Sequence, residues 1–332
     1  MKIALDVMGG DYAPVELLAG AVKWLQESEG QIILVGDQEI INEELRQYSY
    51  DPTRLEIIHA SQVIGMNESP AVALRKKKDA SIVVASRLVK DGMADAVVSC
   101  GSTGAQMAAA IFILGRMQGV ERPPIVAPIP GRGGKPTLLI DVGANVDCRP
   151  VQLLQFALLG QAYARGVLNL DNPRIGLLNN GEEEGKGNDM TKQAGPLMAA
   201  AIPNFIGNIE GKELFGGKVD VAITDGFTGN VLLKSVEAVA KLILTTLKTE
   251  LMSSTRTKIG ALLAKPAFDE VRKMLDPNEI GSAPLLGLDG LVFIGHGRSN
   301  AKAIVSAIEQ AVLAVESNLL ENLRNSIILQ EK

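Results

Sequence analysis

The stretch "DAVVSCGSTGAQMAAA", Asp95–Ala110, runs a continuous apolar segment into Gly101-Ser102-Thr103-Gly104 and then into an alanine-rich helical pattern. Nearly the same device returns at "VDVAITDGFTGNVLLKSV", Val219–Val236. A short strand that is apolar at consecutive positions is buried on both faces, the habit of parallel strands covered by helices. Working outward, the same kind of run occurs at "KIALDV", "QIILVGD", "RLEIIHA", "PTLLIDVG", "RIGLLNNG" and "LVFIGHG", which brings the total to eight. Helix-length segments separate them, so the expected fold class is α/β, a doubly wound three-layer architecture with a mostly parallel sheet.

Helical periodicity places helices at 14–27, 70–91, 105–114, 151–164, 189–202, 229–251 and 300–325, several of them opened by proline or a small capping residue. The segment "GVERPPIVAPIPGRGGKP", 119–136, reads as an irregular surface connection. No linker of biased composition interrupts the chain, so a single large α/β domain over 1–332 is expected.

With 332 residues, 46% hydrophobic, the chain can bury a large core. A net charge of −5 argues against a protein that coats nucleic acid, because phosphate neutralisation needs a basic surface. The start "MKIALDVMGGD" is too short and too acidic for a secretory signal, and no apolar run reaches the roughly 18 residues of a membrane span. A cytoplasmic location is expected. Cys100 and Cys148 have no CxxC partner and no histidine at ligand spacing, so neither a metal site nor any cofactor is expected.

In an open parallel sheet, ligands bind beyond the carboxyl ends of the strands, where helix N-termini present unpaired N–H groups to anions. Polar, glycine-rich turns stand at such ends: Met8–Pro14, Cys100–Ala105, Asp141–Asp147, Thr224–Asn230 and Gly295–Ala301, with a sixth at Asn179–Asp189 carrying Lys186. Together on one edge they imply a large polar pocket for phosphate or a carbonyl oxygen. Neither a GxGxxG after the first strand nor a Walker A motif is present, which disfavours nicotinamide and nucleoside triphosphate chemistry.

The candidate phosphate and substrate contacts are Asp6, Gly9, Gly10, Gly101, Ser102, Thr103, Gly104, Gly143, Asn145 and Gly229. Lys186, flanked by glycines, offsets the phosphate charge. Asn230 is placed to bond a carbonyl oxygen, Asp225 to orient a donor or protonate a leaving group, and His296 is the second candidate for that proton. Cys100 reads as a small buried strand-end residue rather than a nucleophile, and His59 as a strand cap.

The pieces "ALDVMGGDYAP", "SCGSTGA", "IDVGAN", "NNGEEEGKGN", "DGFTGNVLLK", "GSAPLLG" and "GHGRSNAKAI" span residues 4–304 in order. In these the chain closely resembles the phosphate acyltransferase family of bacterial phospholipid synthesis. One position departs: Asn180 stands where the family carries an apolar residue. The resemblance implies transfer of a long-chain acyl group from acyl carrier protein to inorganic phosphate and a homodimer. It also implies a fold similar to the isocitrate and isopropylmalate dehydrogenases and to phosphotransacetylase, without their redox cofactor. A phosphotransacetylase-like acyl-CoA enzyme and a non-catalytic carrier-protein-binding module are the alternatives.

Residues 248–275 differ from the rest. Six basic residues stand there against three acidic ones, interleaved with apolar side chains and broken by Pro266. A protruding amphipathic helical hairpin is expected, able to lie on anionic lipid, grip acyl carrier protein or pack on a partner subunit. The resemblance favours peripheral contact with an anionic membrane.

Overall fold

The structure, a computed structural model, describes residues 1–328; residues 329–332, the end of the expected 1–332 domain, lie outside the described residues. Eleven strands form among those described: β1 Lys2–Asp6, β2 Gln31–Gly36, β3 Leu55–His59, β4 Ala96–Ser99, β5 Val126–Ile129, β6 Thr137–Ile140, β7 Ile175–Leu178, β8 Phe205–Ile209, β9 Val221–Ile223, β10 Ser282–Leu285 and β11 Leu291–Gly295. All eight strands expected from the apolar runs are among them. They sort into a six-stranded sheet, β10-β11-β4-β1-β2-β3, and a five-stranded sheet, β5-β6-β9-β7-β8.

Both faces are covered, as the uninterrupted apolar runs require. Ile3 and Leu5 of β1, Ile32 and Leu34 of β2, and Leu138 and Ile140 of β6 enter one core. Their neighbours Ala4, Ile33 and Leu139 enter the other. Each side chain of this size that leaves water contributes about 1.5–3 kcal/mol, so two cores flanking one layer of strands dominate the fold's stability.

The three additional strands explain how the sheets meet. β5 lies inside 119–136, so that segment is not the irregular surface connection expected; Val126 and Ile129 are buried. β5 and β10 are the antiparallel edge strands of their sheets, and each carries a proline, Pro128 and Pro284. Proline lacks the N–H a central strand needs, which suits it to an edge. The two edges are joined by an antiparallel bridge between Ile125 and Leu285, with Leu286 N–H donating to the Pro124 carbonyl at 3.0 Å. β11 is antiparallel to β10, β10 meets β5 antiparallel, and β5 is antiparallel to β6. The parallel strands of the two sheets therefore run in opposite directions across this junction.

Two expected helices divide. The span 70–91 becomes Pro70–Lys76 and Ser81–Lys90, because Ala80 bridges to Gln62 and the Asp79 carboxylate accepts from Ser61 N–H and Oγ at 2.7 and 2.5 Å. The span 300–325 becomes Ala301–Glu316 and Leu319–Ile328, turned by Asn318 at φ +51°.

Protrusion begins earlier than residue 248. The Gly226–Leu251 helix buries only Gly226 and Gly229, and neither Thr255–Leu263 nor Lys265–Leu275 buries any residue. No single helix among the described residues is long and apolar enough to cross a membrane.

Candidate active site

The six glycine-rich turns do not line one edge. They gather in two triads, one per sheet, as the opposed strand directions dictate. In the six-stranded sheet Met8–Pro14, Cys100–Ala105 and Gly295–Ala301 come together. A Cβ on Gly9 would stand 2.8 Å from Gly101 N, and Gly10, at φ +114°, faces the carbonyls of Cys100 and Gly297 at 3.1 Å. In the five-stranded sheet Asp141–Asp147 and Thr224–Asn230 interlock: a Cβ on Gly229 would lie 1.9 Å from the Asp141 carbonyl oxygen, so only glycine fits. Asn179–Asp189 follows β7, which pairs with β9. No hydrogen bond among the described residues joins one triad to the other. The cavity beside Asp6, Gly9, Gly101 and Ser102 measures only about 10 Å³.

Each triad is built around a buried aspartate at a strand end. Asp6 is 2% exposed; its carboxylate accepts from Ser99 Oγ at 2.7 Å and from Met8 N–H at 3.2 Å. Asp141 is fully buried and accepts from the N–H groups of Ile125, Gly143, Ala144 and Asn145 and from Asn145 Nδ2, at 2.6 to 3.2 Å. Burial raises both carboxyls above the usual range, against the pull of these donors. The sequence shows the parallel directly, "LDVMGG" at the end of β1 and "IDVGAN" at the end of β6.

Three candidate contacts are engaged within their own turns. Asp6 holds its own turn through Met8 N–H and Ser99 Oγ. The amides of Gly143 and Asn145 are committed to Asp141, and the Asn145 side chain also bonds the Pro123 carbonyl at 2.9 Å. These bonds shape the turn.

The turn after β4 is different. Gly101 N–H is taken by Ser99 Oγ at 3.2 Å, but the N–H groups of Ser102, Thr103 and Gly104 meet no acceptor among the described residues, nor do the two hydroxyls. They open the Thr103–Ala109 helix, whose N-terminal dipole end favours an anion. The following residues, Ala110–Leu114, form a π-helical turn. Cys100 beneath this turn is fully buried and its thiol is pushed up to about 12 by burial, so it stays protonated at neutral pH.

The other triad supplies side chains. Lys186 is exposed; its stem packs over Gly181 and its ammonium forms no ion pair among the described residues, although Glu182, Glu183 and Glu184 are close in sequence. Asn230 projects over Gly143, 3.5 Å from where a Cβ there would be, with its amide unpartnered. Asp225 caps the Gly226–Leu251 helix, accepting from Thr228 N–H and Thr228 Oγ1, both at 2.8 Å. It orients a donor. A free acid is not what this geometry presents.

His296 stands exposed with the first triad. Its Nδ1 accepts from Arg298 N–H at 3.1 Å, which leaves Nε2 as the ring nitrogen free to donate. His59 accepts from Gln38 N–H at 3.2 Å and belongs to neither triad. Glu182, Glu210 and Glu213 are close enough to share a cation, but Lys212 already bonds all three at 2.9 to 3.8 Å.

Solved structures define the class. A phosphotransacetylase from Streptococcus pyogenes shares the fold at a TM-score of 0.66 and 17% identity, over 95% of this chain and 94% of that one. A 4-hydroxythreonine-4-phosphate dehydrogenase from Klebsiella pneumoniae follows at 0.55 and 13%, over 94% and 96%. The architecture is thus the α/β fold of the phosphotransacetylases, found also in a dehydrogenase.

Sequence narrows this to one family. The family model described as "Fatty acid synthesis protein" matches residues 1–322. A phosphate acyltransferase from Syntrophomonas wolfei is 55% identical over 323 residues, 97% of each chain. Another from Moorella thermoacetica is 51% identical over 320 residues, 96% of this chain and 94% of the relative. The chain belongs to this fatty acid synthesis family, and it is an acyltransferase.

Proposed function

We propose that the protein transfers a long-chain acyl group from acyl carrier protein to inorganic phosphate, releasing acyl-phosphate and the carrier thiol for phospholipid synthesis. The observation that carries this reading is the unpartnered donor set at Ser102, Thr103 and Gly104, opening a helix. Phosphate is already an anion at neutral pH, so the enzyme needs to hold and aim it, not to deprotonate it. A thioester is an activated acyl donor, and no covalent enzyme intermediate is needed.

A phosphate oxygen of the dianion bonds the thioester carbon, and the carbonyl becomes an oxyanion. That oxyanion then collapses, the C–S bond breaks, and the proton of the original hydrogen phosphate balances the departing thiolate. Lys186 offsets the phosphate charge, and Asn230 donates to the oxyanion. Asp225 fixes Thr228 and the start of the helix that carries Asn230. His296 Nε2–H donates to the leaving sulfur. Positioning and oxyanion stabilisation are the largest contributions such a site can make.

The exposed helices suit the rest of this reading. Val239, Leu242 and Ile243 form an exposed stripe at helical spacing on the Gly226–Leu251 helix, which suits packing against a second copy in a homodimer. Leu262 and Leu263, 72% and 79% exposed, share the Arg256–Lys265 region with three basic residues, which suits an anionic membrane surface. The protein would then work in the cytoplasm, at the membrane edge.

The shared fold with a phosphotransacetylase supports an acyl-CoA donor as the second reading. Palmitoyl carrier protein or an acyl-CoA is incubated with and without phosphate, and acyl-phosphate is trapped with hydroxylamine. The proposal expects phosphate-dependent trapping from the carrier-bound donor. Trapping from acyl-CoA alone supports the second reading, and carrier binding without thioester loss supports a binding module.

A further inference from the structure

On the elements that flank the Ser102–Gly104 turn lies a basic groove that the chemistry above does not use. Its volume is about 220 Å³, and Arg75, Lys78, Arg87 and Phe112 line it. Residues 70–90 carry six basic side chains against the single acid Asp79, in a chain whose net charge is −5. The nearby acids are committed elsewhere: Asp79 to Ser61 and Glu68 to Lys77 at 2.5 Å. Arg75, Lys76, Lys78 and Arg87 are exposed and form no ion pair among the described residues.

In the middle of this charge stands Phe112, 72% exposed. An exposed aromatic ringed by arginine and lysine is the composition of an interface anchor with a charged rim. It is not the composition of a surface left to water, since a large apolar ring gains nothing there.

The groove is joined to the phosphate turn by two short helices. Pro70 opens Pro70–Lys76, and its Cγ lies 2.8 Å from where a Cβ on Gly104 would be. The Thr103–Ala109 helix and the π turn after it run from that turn to Phe112. At about 1.5 Å per residue, the nine steps from Thr103 to Phe112 span roughly 13 Å. A partner docked at the groove needs a flexible arm of that order to deliver a reactive group to the turn.

We propose that this groove is the docking site for an acidic carrier protein, which presents its acyl thioester to Ser102–Gly104. The inference rests on the reading that the donor is carrier-bound, and adds where the carrier sits. The 248–275 hairpin fits this role less well: its most exposed side chains are Leu262 and Leu263, which suit a lipid surface better than an acidic protein one. Dense unpaired positive charge favours an acidic protein surface and speeds its capture.

The test uses the full-length protein and three donors carrying the same acyl chain: carrier protein, pantetheine and coenzyme A. The triple variant Arg75→Glu, Lys78→Glu, Arg87→Glu and the single variant Phe112→Ala are compared with the parent chain. For each variant the KM for the carrier-bound donor is expected to rise by about tenfold or more, with kcat nearly kept and the Kd for unacylated carrier protein rising in step. With the pantetheine donor, kcat/KM stays within about twofold, as expected when a surface change leaves the reacting groups alone. The parent's kcat/KM on carrier falls with added salt, and the triple variant's falls much less.

An unchanged KM for the carrier-bound donor overturns the proposal, as does an equal loss on all three donors. A loss confined to the coenzyme A donor also overturns it and assigns the groove to a nucleotide. If the parent chain turns over no carrier-bound donor, the functional reading itself has failed, a result distinct from a misplaced docking site.

Discussion

Asn145 donates to Asp141 twice, from its backbone N–H at 2.6 Å and from Nδ2 at 2.9 Å. With Ile125, Gly143 and Ala144 completing the set, one buried carboxylate answers five donors. Asp141→Ala leaves those donors without a partner in a site closed to water. The expected loss is about 3 kcal/mol or more of unfolding free energy, because each orphaned donor costs its desolvation. Urea denaturation measures it, and a loss below about 0.5 kcal/mol, the level of an ordinary surface change, contradicts the role given to Asp141.

Acid sensitivity has an assignable source in Asp220. Burial pushes its carboxyl up, but hydrogen bonds from Arg174, including Nε and Nη2 both at 2.9 Å, outweigh this and hold it below the usual range. A folded pKa below the unfolded one gives stability that is present above the unfolded value and lost as pH falls through the folded value. Asp220→Asn should cost about 1 to 2 kcal/mol at pH 7, and the gap between parent and variant should close as pH falls below the ordinary carboxylate value of about 3.9. Urea melts at several pH values decide it; a gap that widens in acid reverses the sign and refutes the assignment.

Cys100 sits under the Ser102–Gly104 turn with its thiol pushed up to about 12. Only a trace of thiolate exists at neutral pH, so a thiol nucleophile is not available there. Cys100→Ala should retain turnover within a few-fold, and iodoacetamide at pH 7.5 should leave Cys100 unlabelled in the folded protein. Activity lost completely in a folded variant would mean that acyl transfer passes through a thioester on Cys100.

Lys186 has no anionic partner of its own among the described residues, and the mechanism assigns it phosphate. Lys186→Ala should raise the KM for phosphate by about tenfold or more, since a charge-assisted hydrogen bond is worth about 1.5–3 kcal/mol. The KM for the acyl donor should stay nearly constant. Steady-state kinetics with phosphate varied reads both, and a change confined to the donor would move Lys186 out of the phosphate subsite.

The eight apolar runs all became strands, because burial on both faces leaves a plain signature. β5, β8 and β10 were hidden for identifiable reasons: four-residue edge strands with Pro128 or Pro284, and in β8 a glycine, Gly207, at φ +88°. Register and direction carry no such signature, so the opposed run of the two sheets was invisible, and with it the sorting of six turns into two triads. Glycine-rich turns were visible as turns. Whether their amides were free was not, because Asp141 lies two residues from Gly143 and reads equally well as a ligand or as the acceptor that consumes the loop.

In the proposed mechanism the two triads act on one phosphate, Ser102 from one sheet and Lys186 from the other. A double-mutant cycle tests it most directly, with kcat/KM for phosphate measured in the parent chain, Ser102→Ala, Lys186→Ala and the double variant. A shared phosphate predicts non-additive losses, with a coupling energy of about 1 kcal/mol or more. Losses that add within about 0.3–0.5 kcal/mol would show two groups acting on separate species, and the shared site would not exist.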